Sequence, residues 1–199
     1  MGLLSDFIGK FRRIRRITSV DEVARRYFVM NAFDGCLTML GIIVGAHAVG
    51  NTDSRIIVSA GLGATFAMGI SGAWGTYMAE KAERTRSLKE LEDAMHADLR
   101  GSMLYRASRI ASLWASLVDG LSPAIAAMIS LSPVLLSQYG LLPPQAMIPA
   151  AVILNLLTLF GLGIFLGRVS RENMIVHGCM MALAGLGTMV LALLLGVTP

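Results

Sequence analysis

The chain has 199 residues, of which 55% are hydrophobic and 15% charged, with a net charge of +4 and a mean hydropathy of +0.66. A soluble globular domain carries about 25% charged residues, so this composition cannot cover a water-facing surface. The charged residues are also clustered, which leaves long stretches almost free of them. These features exclude an ordinary soluble domain and favour one domain embedded in a membrane.

Residues 1–26 form a basic amphipathic segment. Apolar residues recur there at helical spacing, opposite the basic ones; they are Leu3, Leu4, Phe7, Ile8, Phe11 and Ile14. This pattern predicts a helix that lies in the headgroup layer of the membrane, and its plainest role is a topological anchor. The segment has no apolar run of the length that a cleavable signal peptide requires.

Five later segments are each near the ~20 residues that a helix needs to cross a bilayer. They are Phe28–Gly50, Ile56–Ala79, Ile110–Pro133, Gln145–Gly167 and Met174–Val197. The predicted fold class is therefore all-α, a polytopic membrane protein with five transmembrane helices. Residues 27–79 would carry helices one and two, and residues 110–199 would carry helices three to five.

Basic residues give the orientation. Sixteen of the 17 Lys and Arg residues flank one side of the predicted spans, and only Arg55 falls on the other. This asymmetry predicts a cytoplasmic N-terminus in a multi-pass protein of a cell membrane or vacuole-like membrane. The positive charge then reflects orientation against anionic lipid, so we expect the lipid bilayer and no nucleic acid as a partner.

Residues 80–109 are the substantial polar segment between spans two and three. An apolar stripe at spacings of three and four predicts a cytoplasmic amphipathic helix; it consists of Leu88, Leu91, Met95, Leu99 and Met103. Carboxylates and an imidazole on this segment are candidate metal ligands, namely Glu80, Glu83, Glu92, Asp93 and His96. Mixed charge is also typical of a merely solvated helix, so both interpretations stay open.

Asp34 and Asp119 lie inside apolar spans, and each is followed by glycine. An ionised aspartate at the bilayer centre costs roughly 2.5–3.5 kcal/mol on insertion scales, and such residues mark ion or proton pathways. The alternative for Asp34 is a helix cap at the membrane edge. Other candidates for a transport pathway that could include a metal ligand are the polar or soft side chains of Asn31, Thr38, Met68 and Asn155.

Two stretches resemble the vacuolar iron transporter family: "FDGCLTMLGIIVGA" in span one and "GTYMAEKAERTRSLKELE" at the end of span two. The resemblance implies five spans, a homodimer, and export of Fe²⁺ or Mn²⁺ from the cytosol against protons. It assigns a transport role to Asp34 and a metal-collecting role to the cytoplasmic segment. Two positions depart from the family pattern: Thr76 stands where the family has glutamate, and Gly72 corresponds to a family methionine.

The leading hypothesis is thus a dimeric divalent-metal transporter with no bound cofactor. Asp34 would be its central ligand and proton-exchange group, and the secondary candidates are Asp119, Met68, Asn31 and Thr38. The alternative is a membrane structural or regulatory subunit whose aspartates bridge helices. No nucleophile paired with a base, and no phosphate-binding motif, supports an intramembrane enzyme.

Overall fold

The computed structural model describes residues 20–197, which form five α-helices joined by short turns. They are α1 (Val20–Ala48), α2 (Ser54–Met95), α3 (Met103–Gln138), α4 (Pro144–Ser170) and α5 (Met174–Val197). All five are long and apolar enough to cross a membrane, which confirms the all-α prediction with five spans. Most of the predicted N-terminal amphipathic segment lies outside the described residues, and residues 20–26 of it belong to α1.

The polar segment after the second span is not one helix. α2 continues to Met95, a turn follows, and α3 begins at Met103. His96 has a left-handed φ of 51°, and the Ala97 N–H donates to the Glu92 carbonyl at 3.3 Å, which closes the helix end. Residues 80–109 therefore contain the end of α2, a turn and the start of α3, so a single amphipathic helix over this range is not found.

One compact unit consists of residues 20–28 with Ile70–Leu121. Within it α3 buries a face of small residues, for which Ala107, Ala111 and Ser112 are typical, whereas Leu113 and Leu117 on other faces are about half exposed. Small and weakly polar side chains inside with large apolar ones outside is the arrangement expected when the surrounding solvent is lipid.

The second unit consists of Val29–Gly69 with residues 122–197. Its core is apolar and includes Met39, Ile43, Leu131 and Met147, all 2% exposed or less. α1 approaches α3 closely at Gly35, where a Cβ atom would lie 3.0 Å from the Pro123 backbone. Glycine follows Asp34 because the helices leave no room for a side chain there.

α4 and α5 form a tightly packed hairpin in the second unit. A Cβ on Gly167 would lie 2.7 Å from the Met174 Cα, and one on Gly178 would lie 2.6 Å from the Phe160 ring. Gly163 is likewise packed against the backbone of α5. Gly163 and Gly167, four residues apart, share the face of α4 on which the two helices approach each other closely.

Candidate metal-ion site

The Asp119 carboxylate is buried against α2. The residue is 3% exposed, and the Thr76 hydroxyl donates a hydrogen bond of 2.6 Å to its Oδ2 atom. One turn earlier on α2, a Cβ on Gly72 would lie 3.0 Å from the same oxygen and 3.5 Å from the Asp119 carbonyl oxygen. The carboxylate thus lies in a pocket formed by one missing side chain and one hydroxyl, here called the Asp119 socket (Gly72, Thr76 and Asp119).

Local sequence explains how both helices build this socket. Gly72 and Thr76 are four residues apart, so they share one face of α2. On α3, Pro123 lies four residues after Asp119 and has no N–H to donate to the Asp119 carbonyl as a regular helix would. The helix nevertheless continues without interruption from Met103 to Gln138.

Glu80 lies one turn beyond Thr76 and belongs to a separate polar cluster. Its carboxylate accepts a hydrogen bond of 3.2 Å from the Tyr27 hydroxyl and forms a 3.0 Å ion pair with Arg84. The Glu80 and Arg84 side chains are only 12% and 16% exposed. Glu80 is a predicted metal ligand, and in a single chain its negative charge is balanced by this arginine.

Asp34 has different surroundings, because it is exposed on α1. Among the described residues, the structure records no hydrogen bond or ion pair of its carboxylate. Asn31 and Thr38, one turn to either side, are half-buried. The Thr38 hydroxyl donates to the Met68 sulfur at 3.5 Å, so two of the predicted pathway residues are in contact.

Asn155 of α4 is fully buried and connects three helices of the second unit. Its side-chain amide donates to the Cys36 carbonyl on α1 and to the Ser130 hydroxyl on α3, both at 3.0 Å. Its Oδ1 atom has no hydrogen-bond partner among the described residues. These contacts indicate that Asn155 holds the helices together.

The other predicted ligands lie near the end of α2. Glu83, Asp93 and His96 are exposed. Glu92 or Asp93 could pair with His96 only at the spacing of one helical turn, and that turn is interrupted, because α2 ends at Met95 and His96 has a left-handed φ. The Glu92 carboxylate instead accepts the Leu99 N–H at 2.9 Å and stabilises the turn. In the described part of the chain, no three His, Cys, Asp or Glu side chains come together as a metal site.

Sequence reasoning did not identify Thr76 and Gly72 as neighbours of Asp119. It noted them only as the two departures from the family pattern in α2. The sequence does contain a signal for this contact. Gly72 and Thr76 lie one helical turn apart, and relative to the family pattern they remove bulk and charge from the same face of α2. A carboxylate from another helix can be buried only where such space and a donor exist together.

Five helices that are long and apolar enough to cross a membrane define the class: a multi-pass integral membrane protein. The model of the VIT family matches residues 25–100. An uncharacterized protein of Methanocaldococcus jannaschii is 30% identical over 177 residues, which are 87% of this chain and 89% of that protein. The chain belongs to the VIT family. Membership indicates transport of metal ions across a membrane, by a transporter and not an enzyme.

Proposed function

We propose that the protein exports Fe²⁺ or Mn²⁺ from the cytosol in exchange for protons, as a homodimer. The observation that carries this proposal is the Asp119 carboxylate, which is 3% exposed within apolar segments of α2 and α3. A charge in such a place costs roughly 2.5–3.5 kcal/mol or more unless it is balanced. A bound cation or a proton balances it, and family membership supports a metal as the cation.

Exchange follows from the chemistry of the carboxylate. When Asp119 carries a proton it is neutral, and burial of the neutral, hydrogen-bonded group costs little. When a divalent metal binds, the proton must leave, because only the ionised oxygen is a strong ligand. The two cargoes therefore compete for the same oxygens, and movement of one against the other needs no further titratable group.

The Asp119 socket also accounts for the two departures from the family pattern. In that pattern, α2 supplies both a carboxylate and a thioether, whereas here it supplies the hydroxyl of Thr76 and the empty space at Gly72. A methionine at position 72 would begin with a Cβ 3.0 Å from Asp119 Oδ2, and a glutamate at position 76 would bring two carboxylates together. We infer that the carboxylate of the site has moved from α2 to α3.

The donor atoms of this socket favour the harder of the two metals. Asp119 and Thr76 offer oxygen, and no thioether is present at position 72. Oxygen ligands suit Mn²⁺, whereas softer ligands suit softer metals. Met68, hydrogen-bonded by Thr38, remains a thioether candidate for a second position on the pathway. We therefore expect Mn²⁺ to be carried at least as well as Fe²⁺.

Asp34 supports the dimeric part of the proposal. An exposed carboxylate in a spanning helix of a single chain would face lipid unless water or another chain covered it. A pathway between two protomers would provide that cover.

The basic residues next to the spans support a cytoplasmic N-terminus. In that orientation Glu83, Asp93 and His96 would face the cytosol and meet the metal before it enters.

The test is flux through the purified protein in liposomes, with a panel of divalent metals outside and a pH indicator inside. We expect Mn²⁺ and Fe²⁺ uptake coupled to proton movement, and loss of both in Asp119→Asn. Asp53→Asn is the matched control, because Asp53 is exposed and only caps the start of α2 through the Arg55 N–H at 2.9 Å.

The alternative function, a structural or regulatory subunit, makes the opposite prediction for the same variants. The 2.6 Å bond between Thr76 and Asp119 would then serve only to hold α2 and α3 together. Wild-type protein would show no metal-dependent flux, and Asp119→Asn would alter only the unfolding temperature. Flux that is indifferent to Asp119→Asn would also remove this residue from the transport mechanism.

A further inference from the structure

A cavity of about 340 Å³ lies between α2 and the start of α3, within the unit formed by residues 20–28 and 70–121. Its charged lining residues are all cations: Lys81, Arg84 and Arg109. This volume is at the lower end of the range of about 300–1,000 Å³ seen for ligand pockets. We call it the basic cavity.

Among residues 20–197, carboxylates pair with only part of the charge of the basic cavity. Arg84 is paired with Glu80 at 3.0 Å, but in the part of the chain that the structure describes no carboxylate is paired with Lys81 or Arg109. The Lys81 ammonium instead lies 5.7 Å from the centre of the Tyr77 ring. Two cations without a carboxylate partner among the described residues line the same partly open cavity, and this makes it a candidate site for an anion.

Hydroxyl groups make the site suitable for an oxyanion. Thr85, Ser108 and Ser112 line the cavity, and the two serines are 9% and 2% exposed. The Thr85 and Ser112 hydroxyls donate to the carbonyls of Lys81 and Ser108 at 2.6 and 3.1 Å, so these two would have to turn to reach an oxyanion. Hydroxyls and guanidinium groups together are the donors that phosphate oxygens use in proteins, since Arg binds two oxygens at once and a hydroxyl turns to suit a third. The lining contains several donors and no acidic side chain.

The side chains beside the cavity indicate the rest of the ligand. Along α3, Tyr105, Leu113 and Leu117 are 39%, 55% and 51% exposed, so a large apolar surface continues from the basic residues into the predicted span. A headgroup in the cavity would allow acyl chains to lie along this surface. Basic pockets between transmembrane helices bind anionic headgroups in this way.

We propose that the basic cavity binds the phosphate of an anionic phospholipid. The shared chemistry is a phosphate oxyanion, which a free phosphate compound would also present. The continuous apolar face favours the lipid. The proposal does not depend on metal transport, and binding is measured without it.

The experiment uses the full chain in detergent, with phosphatidylglycerol, phosphatidylcholine and inorganic phosphate as separate probes, and native mass spectrometry to count bound lipid. We expect phosphatidylglycerol to bind more tightly than phosphatidylcholine. Lys81→Gln with Arg109→Gln should weaken it by about fivefold for each cation removed, roughly 25-fold together. Lys81→Arg with Arg109→Lys should retain binding.

The matched control is Lys89→Gln with Arg106→Gln, which removes the same charge from the same two helices at exposed positions outside the cavity. Equal loss in the control double variant, or no loss in the cavity variant, would overturn the proposal, since binding would then be general surface attraction. Competition by millimolar inorganic phosphate would assign the site to a free phosphate compound, and lack of competition would assign it to the lipid.

Discussion

Asp34 and Asp119 are both aspartates followed by glycine in apolar helices, yet the chain surrounds them in opposite ways. Asp34 is exposed on α1, whereas Asp119 is 3% exposed and accepts a 2.6 Å hydrogen bond from Thr76. At Asp119 the neighbouring helix α2 provides both space and a hydrogen-bond donor. At Asp34 the carboxylate is left on the surface of the single chain.

The Asp-Gly dipeptide therefore has a different structural role at each of the two positions. Gly35 lets α1 approach the Pro123 backbone, so the glycine after Asp34 serves helix packing. The glycine that Asp119 depends on is Gly72, which lies 47 residues earlier in α2. A carboxylate buried inside the chain accepts hydrogen bonds from its own protein, as Asp119 does from Thr76, and an exposed one in a span depends on water or a second chain.

The largest effect is expected for Asp34→Asn and Asp119→Asn compared in the same flux assay. Both should lower proton-coupled Mn²⁺ flux more than about 100-fold, since even groups that only orient a metal ligand are worth about 10–100-fold. Neither should unfold the protein, because asparagine retains an acceptor for Thr76 and Asp34 is exposed. Loss of flux in only one variant would restrict the transport role to the aspartate that is changed in that variant.

A helix exchange sharpens the comparison further. Asp119→Ser alone should lose transport. The triple variant Gly72→Met, Thr76→Glu, Asp119→Ser restores a carboxylate ligand from α2, so its flux should be about tenfold higher than that of Asp119→Ser. Thr76→Glu without the Asp119 change serves as the control, because it forces two carboxylates together. A triple variant that folds and remains as inactive as Asp119→Ser would refute the transfer of the carboxylate between helices.

The sequence was sufficient to predict the five helices, because their apolar lengths and the clustering of charge are properties of local composition. It did not predict the turn at 96–102, since nothing in the periodicity of α2 requires His96 to adopt a φ of 51°. The Asp119 socket also escaped prediction, because its hydrogen bond joins residues 43 positions apart. Which faces of two helices meet is decided by tertiary packing.

Asn155→Ala tests a buried polar group in the unit that contains Asp34. We expect a loss of about 2 kcal/mol in unfolding free energy, from two interhelical hydrogen bonds of roughly 0.6–1.7 kcal/mol each. Thr158→Ala is the control on the same helix, because its hydroxyl bonds only the Leu154 carbonyl within α4. If the two variants were equally stable in a denaturant titration, Asn155 would not hold α1, α3 and α4 together.

Gly72→Ala and Gly75→Ala compare the effect on stability of filling a glycine position inside the Asp119 socket with that of filling one elsewhere on α2. At Gly75 nothing lies within 4 Å of a new Cβ, so alanine should stabilise the helix by about 0.5–1 kcal/mol. At Gly72 the new methyl lies 3.0 Å from Asp119 Oδ2, and we expect that gain to be cancelled or reversed. Thermal unfolding in detergent measures the difference, and equal stabilisation by both would show that Asp119 moves aside freely.

The smallest effect is expected where α1 and α2 contact each other near Asp34. Thr38→Val removes the 3.5 Å hydrogen bond to the Met68 sulfur and keeps the shape of the side chain, so the free energy of unfolding should fall by about 0.6 kcal/mol or less.

Met68→Leu should lower the free energy of unfolding by less than about 1.5 kcal/mol, since the side-chain volume is conserved. If Met68 is a ligand, its replacement should lower Fe²⁺ flux more than Mn²⁺ flux, because a thioether suits the softer metal. Parallel loss of both metals would instead identify Met68 as a packing residue, and Asp34 would then depend on oxygen ligands alone.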